Sequence, residues 1–255
     1  MFALHGVASA GHEAVWPTPL EFPSVNRAPH NNLAAQFSVI IPTWNEAGYL
    51  PRAIASARRN RAGEILVVDG GSTDATVEIA RELADRVFVT ARGRASQMNC
   101  GARHARGEFL CFLHADCCLG PNALMESARL LERSEIAGGC FRQRHDISSW
   151  QYRWLDAAAS ARLRLFGLAY GDQGFFVRRD VFLQLGGFPD VPIFEDALLW
   201  QKLSHHGKLA LARSTILVSA RRWQQNGFWH QLCRNGFLAC AFLLGVPPHA
   251  LAGYY

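Results

Sequence analysis

The chain has 255 residues, of which 49% are hydrophobic and 18% charged, with a formal net charge of +5. That is enough apolar material for one sizeable core. No Lys/Arg block is dense enough to track a nucleic-acid backbone, so nucleic acid is not an expected partner; the basic balance suits a nucleotide or a membrane surface as well as it suits an ordinary basic protein.

Residues 1–36 are rich in Pro, Asn, His and Ala and carry neither a helical nor a strand period. They are expected to form a loosely packed extension. Met1–Glu13 has no basic n-region and no long apolar run, so a secretory signal is not expected. Seven cysteines without a CxxC pair fit free thiols in a reducing, cytoplasmic setting and give no zinc spacing.

Alternation begins at Phe37. FSVII (Phe37–Ile41) predicts a buried strand stopped by Pro42. Asn45 is expected to cap a helix through Asn60, with Leu50, Ile54 and Ala57 inward and Pro51 tolerated near the first turn. EILVVDG (Glu64–Gly70) predicts a second strand. Ser72 or Thr73 is expected to cap the next helix, and VFVT (Val87–Thr90) predicts a third strand. A helix over Ala95–Arg106 is expected to end at Gly107, a suitable C′ residue. EFLCFLHAD (Glu108–Asp116) predicts a fourth strand buried on both faces, with His114 and Asp116 on one side. This rhythm argues for an open, mainly parallel, Rossmann-like sheet with helices on both faces. Ligands in such sheets bind beyond the carboxyl ends of the strands, where Pro42-Thr43-Trp44-Asn45, Asp69-Gly70-Gly71-Ser72 and His114-Ala115-Asp116 would collect.

The second half is less regular. It predicts a strand over Gly138–His145, a long helix over Trp150–Phe166 and a strand over Gly174–Arg179. A helix from Phe194 to Gly207 would begin at its acids, and TILVSARRW (Thr215–Trp223) would be an arginine-rich strand. GFLACAFLLGV (Gly236–Val246) is shorter than the about 18 apolar residues a spanning helix needs, yet long enough for peripheral contact with a membrane. Packing as a C-terminal helix is the competing reading.

Three acidic stations carry the chemistry. Asp69 ends an apolar strand before Gly-Gly-Ser-Thr-Asp, placed to accept a hydrogen bond from a base or ribose; an Asp-Gly turn would explain it equally. Asp116 can hold Mg2+ or Mn2+ if diphosphate oxygens and water complete the shell; a strand-ending acid in a turn is the alternative. His114 either joins that shell or is structural. Glu195-Asp196 supplies a candidate general base, or simply a helix start. Arg92, Arg94, Arg221 and Arg222 can counter phosphate charge, although a surface role is ordinary for any one of them.

In order and spacing, FSVIIPTWNE, EILVVDGGSTDAT, GEFLCFLHAD, GDQGFF and FEDALLWQKL resemble the successive motifs of family 2 glycosyltransferases with the GT-A fold. The likeness covers roughly Phe37–Trp223. GRASQMN (Gly93–Asn99), SARRW (Ser219–Trp223) and LLGVPPHALAGYY (Leu243–Tyr255) resemble the small bacterial branch found beside radical-SAM genes and described as arsenosugar-type. The resemblance implies an inverting transfer from a nucleotide-sugar donor, UDP-linked, to a small-molecule or lipid acceptor. It implies a glycosyltransferase domain over 37–223, with a nucleotide-binding half (37–120) and an acceptor half (121–223), followed by a helical segment over 224–255. Pro42, Thr43, Asn45, Glu46, Asp69 and Gly70 would serve the base and ribose. Arg94, Gln97, Asn99, His114 and Ala115 would serve the donor, with Asp116 on the metal. Asp172, Gln173, Arg222 and Trp223 would lie near the donor sugar or acceptor, and Asp196, with Glu195, would be catalytic. His114 stands where the family's DxD motif has its first acid, which implies either weaker metal affinity or more of the phosphate neutralisation carried by arginine. The Gln of the QxxRW element is missing, so processive synthesis is not expected. A sugar nucleotidyltransferase or a non-catalytic nucleotide-binding protein on the same sheet are the alternatives, while a dehydrogenase is excluded because no GxGxxG follows a strand.

Overall fold

The structure, a computed structural model, describes residues 33–166 and 169–254. Most of the N-terminal extension therefore lies outside the described residues, but its last four do not behave as expected: Leu33–Gln36 forms a 3-10 turn with Ala34 buried in the core.

Eight strands form one sheet: β1 (Phe37–Thr43), β2 (Glu64–Asp69), β3 (Arg86–Val89), β4 (Phe109–Phe112), β5 (Cys117–Leu119), β6 (Ile136–His145), β7 (Phe175–Arg178) and β8 (Lys208–Val218). Their spatial order is β3-β2-β1-β4-β7-β6-β8-β5. The β3-β2-β1-β4 half is parallel, β7 is antiparallel to both its neighbours, and β8 runs parallel to β6. Ten helices accompany it among the described residues: α1 (Leu50–Arg59), α2 (Thr76–Leu83), α3 (Arg94–His104), α4 (Ala123–Leu131), α5 (Trp150–Phe166), α6 (Arg179–Gln184), α7 (Glu195–His206), α8 (Arg221–Asn226), α9 (Phe228–Leu243) and α10 (Pro248–Leu251).

Strand alternation distributes the core to both faces. Val39 and Ile41 pack with Leu50, Ile54 and Ala57 of α1 and Leu124 and Leu131 of α4. Ile40 and Val68 face the other way, onto Ala95, Met98 and Ala102 of α3, and Leu199 and Trp200 of α7 belong to the same layer.

Several boundaries differ from expectation for local reasons. β1 runs through Pro42, which pairs with Val68. Ile40 accepts from Leu113 N on the β4 side, so two residues on the Pro42 nitrogen faces past the last paired residue of β4, and no ladder bond is lost. Asn45 does not cap α1; it adopts φ 53° in a turn, and the helix starts at Leu50 with proline in its first turn. Ser72 and Thr73 do not cap α2, whose N-cap is Ala75. α3 stops before Ala105, so Gly107 is not its C′ residue. Gly107 is required instead by close approach: a Cβ there would fall 2.4 Å from Gln36 O. The fourth strand ends at Phe112, and His114-Ala115-Asp116 form a turn closed by Cys117 N donating to His114 O before β5 begins. β8 ends at Val218. Asp146 Oδ1 accepts from Ala220 N at 2.9 Å, and Arg221-Arg222-Trp223 enter α8 rather than extending the strand.

Candidate active site

The loops after β1 and β2 are stitched together. Asp69 is fully buried and accepts four hydrogen bonds: from Thr43 Oγ1 (3.1 Å), Ser72 Oγ (2.5 Å), Gly71 N (2.8 Å) and Ser72 N (2.7 Å). Its carboxylate thus organises the loop rather than facing open space. Asn45 accepts from Thr73 N and donates its own N–H to Ser72 Oγ, each at 2.8 Å. The Gln97 amide donates to Thr43 O and Val68 O at 2.7 and 2.8 Å, fixing the start of α3 beneath both strand ends.

Above this floor lies a cleft of about 450 Å³, lined by Pro42, Thr43, Trp44, Glu46, Arg92, Gly93, Arg94, Gln97, His114, Ala115, Asp116, Pro192, Arg221 and Arg222. The Arg92 guanidinium sits 3.4 Å from the centre of the Trp44 ring at its mouth. Arg221 Nη2 lies 2.5 Å from Glu46 Oε1 and 3.1 Å from Asp116 Oδ2, joining the two carboxylates. Burial pushes the Glu46 carboxyl up while Arg221 opposes it. Burial alone would lower Arg221; the Glu46 hydrogen bond and the two carboxylate charges raise it instead.

A second cavity, of about 200 Å³, lies beyond a wall shared with the first: Arg94, His114, Asp116 and Arg222 line both. Asp196, Asp172, Tyr170, His145 and Trp223 line the second only, together with Gln231, Asn235 and Leu238 of α9. Asp196 Oδ2 accepts from Gly171 N at 2.5 Å, and Oδ1 from Ala197 N at 2.7 Å. Gly171 packs closely against this pair: a Cβ there would fall 3.1 Å from His114 Nε2 and 3.2 Å from Asp196 Oδ2, so the side chains would have to give by a few tenths of an ångström. Burial, with Arg94 nearby, pushes His114 down to about 4, so its imidazole is neutral. Glu195 is buried against Arg94, with Nε at 2.8 Å; burial pushes its carboxyl up to about 7 against the pull of that guanidinium.

The arrangement brings together Pro42, Thr43, Glu46, Arg94, Gln97, His114, Ala115 and Asp116 in the first cavity, and Asp172, Asp196 and Trp223 in the second. Asn45, Asp69 and Gly70 line neither; the first two hold the floor in shape. Asn99 also lies outside, clasping Phe188 through its backbone N and O at 2.9 and 2.8 Å. Gln173 is fully buried and accepts from Arg162 at 3.1 Å. Sequence reasoning missed His145, whose Nδ1 lies 2.7 Å from Asp156 Oδ1, and Tyr170, over whose ring Arg162 stacks at 4.1 Å. Two polar atoms at this second cavity, Tyr170 Oη and Asp172 Oδ1, are buried without a hydrogen-bond partner among the described residues.

Among the described residues no group of three His, Cys, Asp or Glu side chains is poised around a cation. Asp116 and the neutral His114 fit Mg2+ or Mn2+ only as part of a shell completed by ligand oxygens and water.

A mainly parallel sheet with flanking helices is the GT-A arrangement. The chain belongs to glycosyl transferase family 2, whose family model matches residues 38–186. A PGL/p-HBAD biosynthesis glycosyltransferase of Mycobacterium bovis is 36% identical over 168 residues, 61% of this chain and 64% of the relative. An uncharacterized glycosyltransferase of Nostoc sp. is 33% identical over 112 residues, 40% of this chain and 35% of the relative. The chain thus spans less than two thirds of either relative. Among solved structures, the mannosyltransferase PcManGT from Pyrobaculum calidifontis, in complex with GDP-Man and Mn2+, has a TM-score of 0.58 at 22% identity, covering 71% of this chain and 56% of that one. S. aureus TarS 1-349 in complex with UDP-GlcNAc has a TM-score of 0.56 at 17% identity, covering 72% of this chain and 58% of that one. These likenesses carry the fold.

Proposed function

We propose that the first cavity binds a nucleoside diphosphate sugar, UDP-linked, and the second an acceptor hydroxyl on a small molecule or lipid, with inverting transfer between them. The observation that carries this reading is the shared wall: Arg94, His114, Asp116 and Arg222 border both cavities, and Asp196 stands on the acceptor side of it. Asp196 takes the acceptor proton as the oxygen attacks the anomeric carbon, and the bond from that carbon to the diphosphate breaks with its electron pair going to the leaving group. The two bonds that Asp196 accepts leave further lone pairs for the acceptor O–H. Glu195 holds Arg94 in place rather than acting as a second base. Arg94 and Arg222 face the charge that develops on the departing phosphate, and the exposed Trp44 face offers the base a stacking surface. Asp116, with neutral His114, would hold Mg2+ or Mn2+ against the diphosphate, where the metal stabilises the leaving group. Asp69 acts through the loop it ties.

Gly93–Asn99, Ser219–Trp223 and Leu243–Tyr255 support the finer kinship with the arsenosugar-type branch. A cytoplasmic location follows the cysteine usage, with three of the seven free thiols fully buried.

The test is a thermal-shift screen of nucleoside diphosphates and nucleotide sugars, with and without Mn2+. UDP is expected to raise the melting temperature, more so with Mn2+. A protein that no nucleoside diphosphate stabilises would sink the donor assignment.

A further inference from the structure

Asp116 is the carboxylate that a divalent metal would need, and both its oxygens are engaged. Oδ1 accepts from Cys117 Sγ at 3.6 Å, and Oδ2 lies 3.1 Å from Arg221 Nη2. The same nitrogen lies 2.5 Å from Glu46 Oε1, so one corner of a guanidinium answers two carboxylates. The backbone sets this contact up. Cys117 pairs with Val218 across β5 and β8, and Ser219 N donates to Asp116 O at 3.2 Å. Arg221, two residues further on at the start of α8, is thereby held beside Asp116, and its guanidinium also lies 4.3 Å from the centre of the Tyr49 ring. The side chains of Arg221, Glu46 and Asp116 are 19%, 16% and 15% exposed, so water screens their contact poorly.

A divalent cation on Asp116 Oδ2 would share that oxygen with the guanidinium, two positive charges within a few ångströms of each other. Repulsion of that kind weakens whichever cation arrives second. A diphosphate changes the balance, because its oxygens take an arginine fork as readily as a carboxylate does and also complete the shell of a metal.

We propose that Arg221 is the resident counter-ion of Asp116 and Glu46, that a divalent cation competes with it for Asp116 Oδ2, and that a nucleoside diphosphate settles the competition by drawing the guanidinium onto phosphate. Metal and nucleotide then bind with positive coupling, and the metal by itself binds weakly. The coupling rests on the donor reading above; the competition between Arg221 and the cation stands without it.

The test measures free Mn2+ by electron paramagnetic resonance in solutions of the full chain, with and without UDP, against UDP without protein. The wild type is expected to bind Mn2+ weakly alone and about tenfold more tightly with UDP. Arg221→Met should tighten Mn2+ binding about tenfold in the absence of UDP and lose most of the further gain from UDP. Arg221→Lys keeps the charge and should stay near the wild type. Adding Asp116→Asn to Arg221→Met should abolish the tightened binding, which assigns it to Asp116. Melting curves report that each variant is folded, and Arg221→Gln replaces the methionine variant if that one is not. A purely structural ion pair would lower the melting temperature of Arg221→Met and leave its Mn2+ affinity unchanged, which would overturn the proposal. A wild type that binds Mn2+ alone as tightly as Arg221→Met does, a UDP gain as large in that variant as in the wild type, or no Mn2+ binding by any of the proteins would overturn it too. If UDP changes nothing while Arg221→Met still tightens Mn2+ binding, the donor reading fails and the counter-ion role of Arg221 stands.

Discussion

The two cavities share a wall but differ in how the structure beneath them is tied. Beneath the first cavity the loops are tied to one another, Asp69 accepting four bonds and Gln97 binding both strand ends, while Glu46 Oε2 on its lining is buried with no hydrogen-bond partner among the described residues. At the second cavity, Tyr170 Oη and Asp172 Oδ1 are buried with no hydrogen-bond partner among the described residues. A buried polar atom left unpaired costs about 1–3 kcal/mol, which a ligand hydroxyl can relieve. The floor of the first cavity is held by its own loops, whereas the second has two unpaired polar atoms on its lining.

That contrast can be broken by substitution. The largest effect is expected from Asp196→Asn, which should lower kcat by about a hundredfold or more while leaving the donor KM near wild type. Steady-state release of nucleoside diphosphate measures it, and undiminished turnover would remove Asp196 as the base. Asp69→Ala should destabilise the fold by about 3 kcal/mol, because it removes the acceptor of four hydrogen bonds, from the buried Thr43 at the end of β1 and from Gly71 and Ser72 in the loop after β2. Denaturant melts would show this, and a neutral result would mean the loops hold without it. Arg221→Ala should weaken UDP binding about tenfold by leaving Glu46 and Asp116 face to face. Titration calorimetry at two Mn2+ concentrations separates this from metal loss. Tyr170→Phe should raise the acceptor KM a few-fold without lowering the melting temperature, since its hydroxyl bonds nothing described; a clear drop in stability would contradict the unpaired assignment.

The smallest expected effect is a pH dependence. Glu195 is raised to about 7 in the folded chain, above its ordinary 4.5. Such an acid contributes most below 4.5, and the contribution is lost as pH climbs to about 7. The stability difference between wild type and Glu195→Gln should therefore shrink across that window and stay level above it. Melting temperatures at matched ionic strength would detect the slope.

The parallel half was legible because its strands are apolar runs separated by helix periods, and the Asp-Gly and His-Ala-Asp signals fall at strand ends. What the sequence hid was decided by tertiary partners. Pro42 stays in a central strand because its neighbour has already ended. Arg221-Arg222-Trp223 turn into a helix because Asp146, 74 positions before Ala220, takes the Ala220 N–H. Asp69 was legible as important but not as internal, since only the folded loops reveal that its oxygens are occupied. His145, Asp156 and Tyr170 belong to no compact motif; β6, α5 and the turn before β7 assemble them, and no spacing rule links those.

The Arg221–Glu46 contact joins positions 175 apart. Arg221 and Arg222 thus reach the first cavity from α8, near the far end of the chain, and join Arg92 and Arg94 from the segment around the start of α3, while the base of the cavity is made within the first four strands. Residues 37–120 carry Arg92 and Arg94 but not the guanidinium groups of α8, so Glu46 and Asp116 depend on Arg221 from outside that segment for their ion pair. A chimera that exchanges donor preference must carry α8 along with the first strands, and a boundary drawn for engineering belongs beyond Asn226 rather than between the halves.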